Sequence, residues 1–234
     1  MGDVFLDAGY ETGLFGKWHL GDNYSFLPEQ RGFKETFYHK GGGVGQTPDY
    51  WNNNYQDDIY FRNGEPEETK GYCTDVFFDE AISFINKNKE NSFLCFLSLN
   101  APHSPFNVPK EYYELYENES DLLESQKRFY GMISNIDDNF GRLHQHVESL
   151  GILDNTIIIF TTDNGTSNGY KYSKKDKKWL GFNAGMRGTK TSEYDGGHRV
   201  PFIIKWKKGG LFGGHNYSGL SAHVDMLPTL LSFA

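Results

Sequence analysis

The sequence predicts an α/β fold built on a mainly parallel sheet, and two observations carry that expectation. Apolar, β-branched or aromatic runs of strand length alternate with stretches of helical period. The apolar runs also end in polar, turn-forming residues, as buried strands of a parallel sheet do when they reach the surface. At 234 residues, 37% of them hydrophobic, the chain is long enough for one sizeable core. No internal repeat or low-complexity tract divides it.

Residues 4–9 (Val-Phe-Leu-Asp-Ala-Gly) read as the end of a helix with Gly9 as its C′ residue, followed by a short strand from Thr12 to Gly16. Residues 22–72 show little period of either kind and are rich in Gly, Asn, Asp and Tyr. They are expected to form an ordered, irregular excursion whose aromatics face a substrate. Within it, Gly41-Gly42-Gly43 is not a P-loop, because no Gly-Lys-Ser/Thr follows and no strand precedes it. A helix is expected from Thr74 to Asn88, with Thr74 or Asp75 as its N-cap and Val76, Phe77, Ala81, Phe84 and Ile85 on one face. Residues 92–99 then read as a buried strand.

The clearest helix lies within residues 121–150, where Ile133, Ile136, Phe140, Leu143, Val147 and Leu150 recur at spacings of three and four. Residues 156–160 follow as an apolar strand, expected to be central and joined to the strand at 92–99 by a parallel crossover. A strand at residues 200–206 and a short helix from Asp225, with Pro228 in its first turn, complete the chain.

Composition narrows the function. Net charge is −8 and no basic block is read, which argues against a nucleic-acid partner. No apolar run is long enough to cross a membrane. The N-terminal residues have neither the basic nor the apolar region of a signal peptide. The two cysteines, Cys73 and Cys95, are expected to be free buried thiols.

Four polar clusters fall where strands run out: Gly16-Lys17-Trp18-His19-Leu20-Gly21, Pro102-His103-Ser104-Pro105, Asp163-Asn164-Gly165 and Arg187-Gly188-Thr189-Lys190. In a parallel sheet these loops converge on one edge. Together they bring two lysines, two histidines and a pair of hard oxygen ligands suited to Ca²⁺ or Mg²⁺. Ammonium groups and a cation would hold an oxyanion while imidazoles move protons.

The motif Gly9-Tyr10-x-Thr12-x-x-x-Gly16-Lys17-Trp18-His19-Leu20-Gly21 resembles a signature of the sulfatases, of arylsulfatase type within the alkaline-phosphatase superfamily. The resemblance continues in family order through Asn100-Ala101-Pro102-His103-x-Pro105, Thr161-x-Asp163-Asn164-Gly165, Arg187-Gly188-x-Lys190, Gly196-Gly197-x-Arg199-Val200-Pro201 and Asp225-x-x-Pro228-Thr229. It implies an alkaline-phosphatase-like fold and hydrolysis of a sulfate ester on a sulfated small molecule or glycan. Lys17 and His19 resemble the family's residues at the catalytic hydrate. His103 resembles the group beside the ester oxygen, and Lys190 resembles the second sulfate-binding lysine. Asp163 and Asn164 resemble two ligands of the family's Ca²⁺.

One departure is large. The sequence contains no Cys/Ser-x-Pro-x-Arg segment, the source of the family's formylglycine nucleophile, and no N-terminal Asp-Asp metal pair. The resemblance therefore implies a partial catalytic domain, residues 1–234, truncated at both ends, with an incomplete Ca²⁺ site and no turnover by itself. The parent enzyme is expected to be secreted, periplasmic or lysosomal. A phosphoryl or phosphonate hydrolase of the same superfamily, and a non-catalytic module that binds sulfated glycans, are the competing expectations.

Overall fold

The computed structural model describes residues 1–233. Helix α1 (Gly2–Asp7) leads into strand β1 (Glu11–Lys17), and Gly9 between them takes a left-handed φ of 84°. Strand β2 (Glu35–His39) follows, then β3 (Ile59–Arg62) and β4 (Glu65–Glu68). Helix α2 (Cys73–Asn88) precedes strand β5 (Phe93–Ser98). The short α3 (Lys110–Glu114) and the long α4 (Glu124–Ser149) come next. Then come β6 (Ile158–Thr161), a hairpin of β7 (Tyr170–Ser173) and β8 (Lys178–Gly181), α5 (Asp195–His198), β9 (Phe202–Lys205) and α6 (Met226–Phe233).

The main sheet has five strands in the order β4-β3-β2-β1-β5. Strand β1 pairs in parallel with β2 on one side and β5 on the other, while β3 and β4 extend the sheet as an antiparallel edge. Alternation along β1 and β2 divides the core. Phe15 and Phe37 face α2, where Phe77, Ala81, Phe84 and Ile85 meet them; Leu14, Trp18 and Tyr38 face the opposite side with Phe33. Asp75, in the first turn of α2, accepts from the side-chain amides of Asn135 (2.8 Å) and Asn139 (2.6 Å) on α4, which locks the two helices together.

Three expectations are corrected. The segment 22–72 is not irregular: it supplies three of the five strands of the main sheet. Its aromatics mostly build the core, for Phe37, Tyr38, Tyr55 and Tyr60 are fully buried, whereas Trp51 is 91% exposed. Strands of four or five residues between glycine- and asparagine-rich turns are too short to show a period. Second, β6 is not a central parallel strand. Among the described residues it pairs only with β9, antiparallel, in a separate two-stranded sheet. An apolar run specifies burial but not a partner, and β6 obtains its cover from α4, where Phe140 meets Phe160 edge to face at 5.9 Å. Third, α2 begins at Cys73, so Thr74 and Asp75 lie in its first turn and Tyr72 is the N-cap. On α4 the predicted stripe holds: Val147 is buried and Ile136, Phe140, Leu143 and Leu150 are half-buried, Phe129 and Met132 join them, and only Ile133, 40% exposed, turns away.

Candidate active site

Three of the four polar clusters follow the carboxyl ends of β1, β5 and β6, and the fourth follows β8. Where β1 gives way to its loop, the chain passes very close to β5. A Cβ on Gly16 would lie 2.1 Å from the carbonyl oxygen of Ser98, and its φ is 110°, so only glycine fits. Ser98 Oγ donates to the carbonyl of Lys17 at 2.7 Å, which pins the lysine's backbone to the sheet edge. Lys17 pairs in register with His39 of β2, so both side chains lie on the α2 face.

His39 is fully buried. Its Nδ1 lies 3.0 Å from the carbonyl of Lys40, which makes Nδ1 the protonated nitrogen and Nε2 a bare acceptor with no partner among the described residues. Burial pushes the imidazole down to about 3; the hydrogen bond to Lys40 opposes this, and its nearness to Lys17, His103 and His19 adds to it.

The glycine run after β2 brings the two site histidines together. A Cβ on Gly42 would lie 2.9 Å from Cε1 of His19, and one on Gly43 would lie 3.1 Å from Nδ1 of His103. The backbone of these two glycines therefore forms a wall against both imidazoles. Asn100 holds that wall to the loop after β5, its side-chain oxygen accepting from the Val44 amide at 3.1 Å. Tyr55 donates to the His103 carbonyl at 3.0 Å, and His103 Nδ1 lies 2.7 Å from the Ser104 carbonyl. That contact protonates Nδ1 and leaves Nε2 to exchange a proton with a ligand.

Charges from the other loops reach the same place. Burial lowers the Lys17 ammonium below the usual lysine range; Asp163 raises it in part, and Lys190 lowers it further. Burial likewise lowers His103, against the Ser104 hydrogen bond, and the charges of Lys17 and Lys190 lower it while Asp163 raises it. Lys17, His19, His103, Asp163 and Lys190 thus share one electrostatic neighbourhood. Asn164 stands beside Asp163, its Nδ2 donating to the Gly165 carbonyl at 2.9 Å, which leaves Oδ1 as its free acceptor. The segment carrying Lys190 is fixed by its own amide, which donates to the Thr166 carbonyl at 2.8 Å.

Other polar residues take structural places. Arg199 is an exposed partner of Asp195 at 3.6 Å. Asp225 Oδ2 accepts from the Ala222 amide, and His223 lies 3.0 Å from the Thr162 carbonyl, so these two cap and tether the last helix. Both thiols are free; Cys73 is buried and Cys95 half-buried on the sheet, and desolvation pushes Cys95 up to about 12 and Cys73 higher still. Sequence reasoning missed His39, Gly42 and Gly43. The triple glycine was the available signal, once the phosphate-loop reading failed.

The sulfatase family profile matches residues 1–234. The chain belongs to the sulfatase family. Similar proteins include the uncharacterized sulfatase YdeN of Escherichia coli K12, 29% identical over 99% of this chain and 42% of its own length. Human N-acetylgalactosamine-6-sulfatase is 28% identical over 99% of this chain and 44% of its own. Among solved structures, Ps i-CgsB superposes with a TM-score of 0.84 at 28% identity, covering all of this chain and 52% of that one. The same protein has been solved with k-i-k-neocarrahexaose. This sulfatase chain therefore spans about half the length of the relatives it matches. No helix among the described residues is long and apolar enough to cross a membrane.

Proposed function

We propose that this chain supplies the sulfate-binding and proton-transferring half of a sulfatase active site, and that the whole protein hydrolyses a sulfate ester on a carbohydrate. The convergence of two lysines and two histidines on one loop-lined edge carries the reading. Lys17 and Lys190 hold the sulfate oxygens by charge. His103, protonated at Nε2, donates to the bridging ester oxygen as the S–O bond breaks, so the alcohol leaves neutral. His19, packed against Gly42, handles the proton on the nucleophile's side.

The family's formylglycine would supply the nucleophile, and neither thiol of this chain, both held protonated by desolvation, can replace it. Asp163 and Asn164 are the proposed protein ligands of a Ca²⁺ ion. Two oxygens fall short of the six to eight that Ca²⁺ takes, and no group of three His, Cys, Asp or Glu among the described residues adds to them. The isolated chain is therefore proposed to bind sulfate without turnover. Export or lysosomal residence of the whole protein is part of the same reading.

Titration calorimetry of the chain with inorganic sulfate tests it. Lys17→Ala should weaken sulfate binding about tenfold, the loss of one charge-assisted contact. Equal affinity in wild type and Lys17→Ala, or a strong preference for phosphate or a phosphonate over sulfate, would sink the sulfatase assignment of this site.

A further inference from the structure

The hairpin of β7 and β8 is rooted between the metal-ligand pair and the second lysine of the candidate site. Thr166 joins the two. Its hydroxyl accepts from the Gly169 amide at 2.8 Å, and its carbonyl accepts from the Lys190 amide at 2.8 Å. The base of the hairpin is clamped to α4. Buried Gln126 donates to the Leu180 carbonyl at 2.8 Å, and Tyr130 donates to the Gly169 carbonyl at 2.7 Å. Leu180, buried, points inward with these contacts.

Strand alternation then puts Tyr170, Tyr172 and Trp179 on the opposite face. Tyr170 stacks on Trp179 with ring centres 4.9 Å apart and planes 14° from parallel; Tyr172, opposite Trp179 in register, meets it edge-on at 5.7 Å. Trp179 is 54% and Tyr172 46% exposed, so a three-ring platform faces solvent. Gly181, opposite Tyr170, adds no side chain to that face.

The charge of the hairpin is opposite to that of the rest of the molecule. Residues 170–182 carry five lysines and one aspartate in a chain of net charge −8. Asp176 is occupied by the turn, accepting from Ser173 Oγ at 2.6 Å. Lys171 donates to Asn168, and Lys178 pairs with exposed Asp121 at 3.1 Å. Lys174, Lys175 and Lys177 are exposed, with no ion pair among the described residues.

We propose that this hairpin is a second binding site, for a multiply sulfated oligosaccharide. It would seat sugar rings on Trp179 and Tyr172 and neighbouring sulfates on Lys174, Lys175 and Lys177, and deliver the chain to the hydrolytic site at its root. Aromatic faces take the apolar faces of sugar rings, and an unpaired lysine cluster on an acidic protein selects a polyanion. The delivery part rests on the function proposed above; the binding part does not.

The experiment follows Trp179 fluorescence and calorimetry on the full chain. The probes are a sulfated carrageenan hexasaccharide, its desulfated counterpart, poly(U) and inorganic sulfate. The sulfated hexasaccharide should perturb Trp179 and bind at least about tenfold more tightly than the desulfated one, with affinity falling as salt rises. Replacing Lys174, Lys175 and Lys177 together by glutamine, which touches no buried group, should weaken hexasaccharide binding about tenfold, and Trp179→Ala should weaken it comparably. Both variants should leave inorganic sulfate affinity at wild-type strength. Hexasaccharide affinity unmoved in both variants, or poly(U) bound as tightly as the glycan, would overturn the proposal. Hairpin-dependent glycan binding in a chain indifferent to inorganic sulfate would instead sink the hydrolytic reading and leave the hairpin site standing.

Discussion

His39 is a neutral imidazole held in the core close to Lys17, His19 and His103. Unfolded, it titrates near the ordinary value of about 6.5; folded, it does so at about 3. Between those values the unfolded chain binds the proton and the folded chain does not. The stability contributed by the neutral ring is thus whole above the upper value and is lost as pH falls toward the lower one, by up to about 1.4 kcal/mol per pH unit. Urea unfolding of wild type and His39→Gln at pH 7, 6, 5 and 4 should show the steeper decline in wild type; parallel declines would show that other groups carry the acid sensitivity. Gly42 and Gly43 make a different demand. Neither has a positive φ, so alanine strains no backbone at either position, but each new methyl presses on a site imidazole. In the whole enzyme, Gly42→Ala and Gly43→Ala should lower kcat by about tenfold to a hundredfold with melting temperature little changed, the signature of misplaced groups rather than a damaged core. Unaltered kcat, or unaltered ring NMR signals of His19 and His103 in the variants, would mean the glycine wall does not set their positions.

At the scale of elements, α4 is the clamp of the molecule. Its middle binds α2 through Asp75, its first turns hold the hairpin through Gln126 and Tyr130, and Phe140 covers β6. Asp75→Ala would leave the buried amide of Asn135 with no acceptor and that of Asn139 with only the Asn135 carbonyl. It should cost about 2 kcal/mol in urea unfolding, since stranded buried donors forfeit more than the net worth of one hydrogen bond. A loss within about 0.5 kcal/mol, the range of ordinary surface changes, would show that the two amides find other partners. The long apolar period of this helix was legible in the sequence because twenty-six residues average out local noise. The strands of residues 22–72 were not, because each is only four or five residues long and their aromatics read equally well as an exposed platform. The aromatic platform lies instead on the β7–β8 hairpin, where five lysines were too short a run to stand out from sequence.

Across the whole molecule, order is uneven. Strands β1 and β2 are buried almost throughout and flanked by neighbours, whereas β6 and β9 form a two-stranded pair of half-buried and exposed residues. A two-stranded pair is marginal unless something covers it. Native-state hydrogen exchange should therefore find the amides of β1 and β2 protected close to the global unfolding free energy and those of β6 and β9 opening more readily. Equal protection of both sheets would show that the molecule opens as a single unit. The gradient bears on the site, because Asp163 and Asn164 follow β6 while Lys17, at the end of β1, and His19 just after it sit on the main sheet: the Asp163-Asn164 side of the candidate site has the softer scaffold.

The sequence by itself determined the α/β class, the existence of the long helices, the family, and the polar clusters that follow the strands. Those features are written in local period and in motifs whose spacing survives without knowledge of partners. Only the tertiary structure decided that β6 joins β9, that the aromatics of residues 22–72 turn inward, and that Gly42 and Gly43 abut the imidazoles. Strand partnership, facing direction and close approach are pairwise properties between distant residues, and hydrophobicity along one chain specifies that a residue is buried without specifying what buries it.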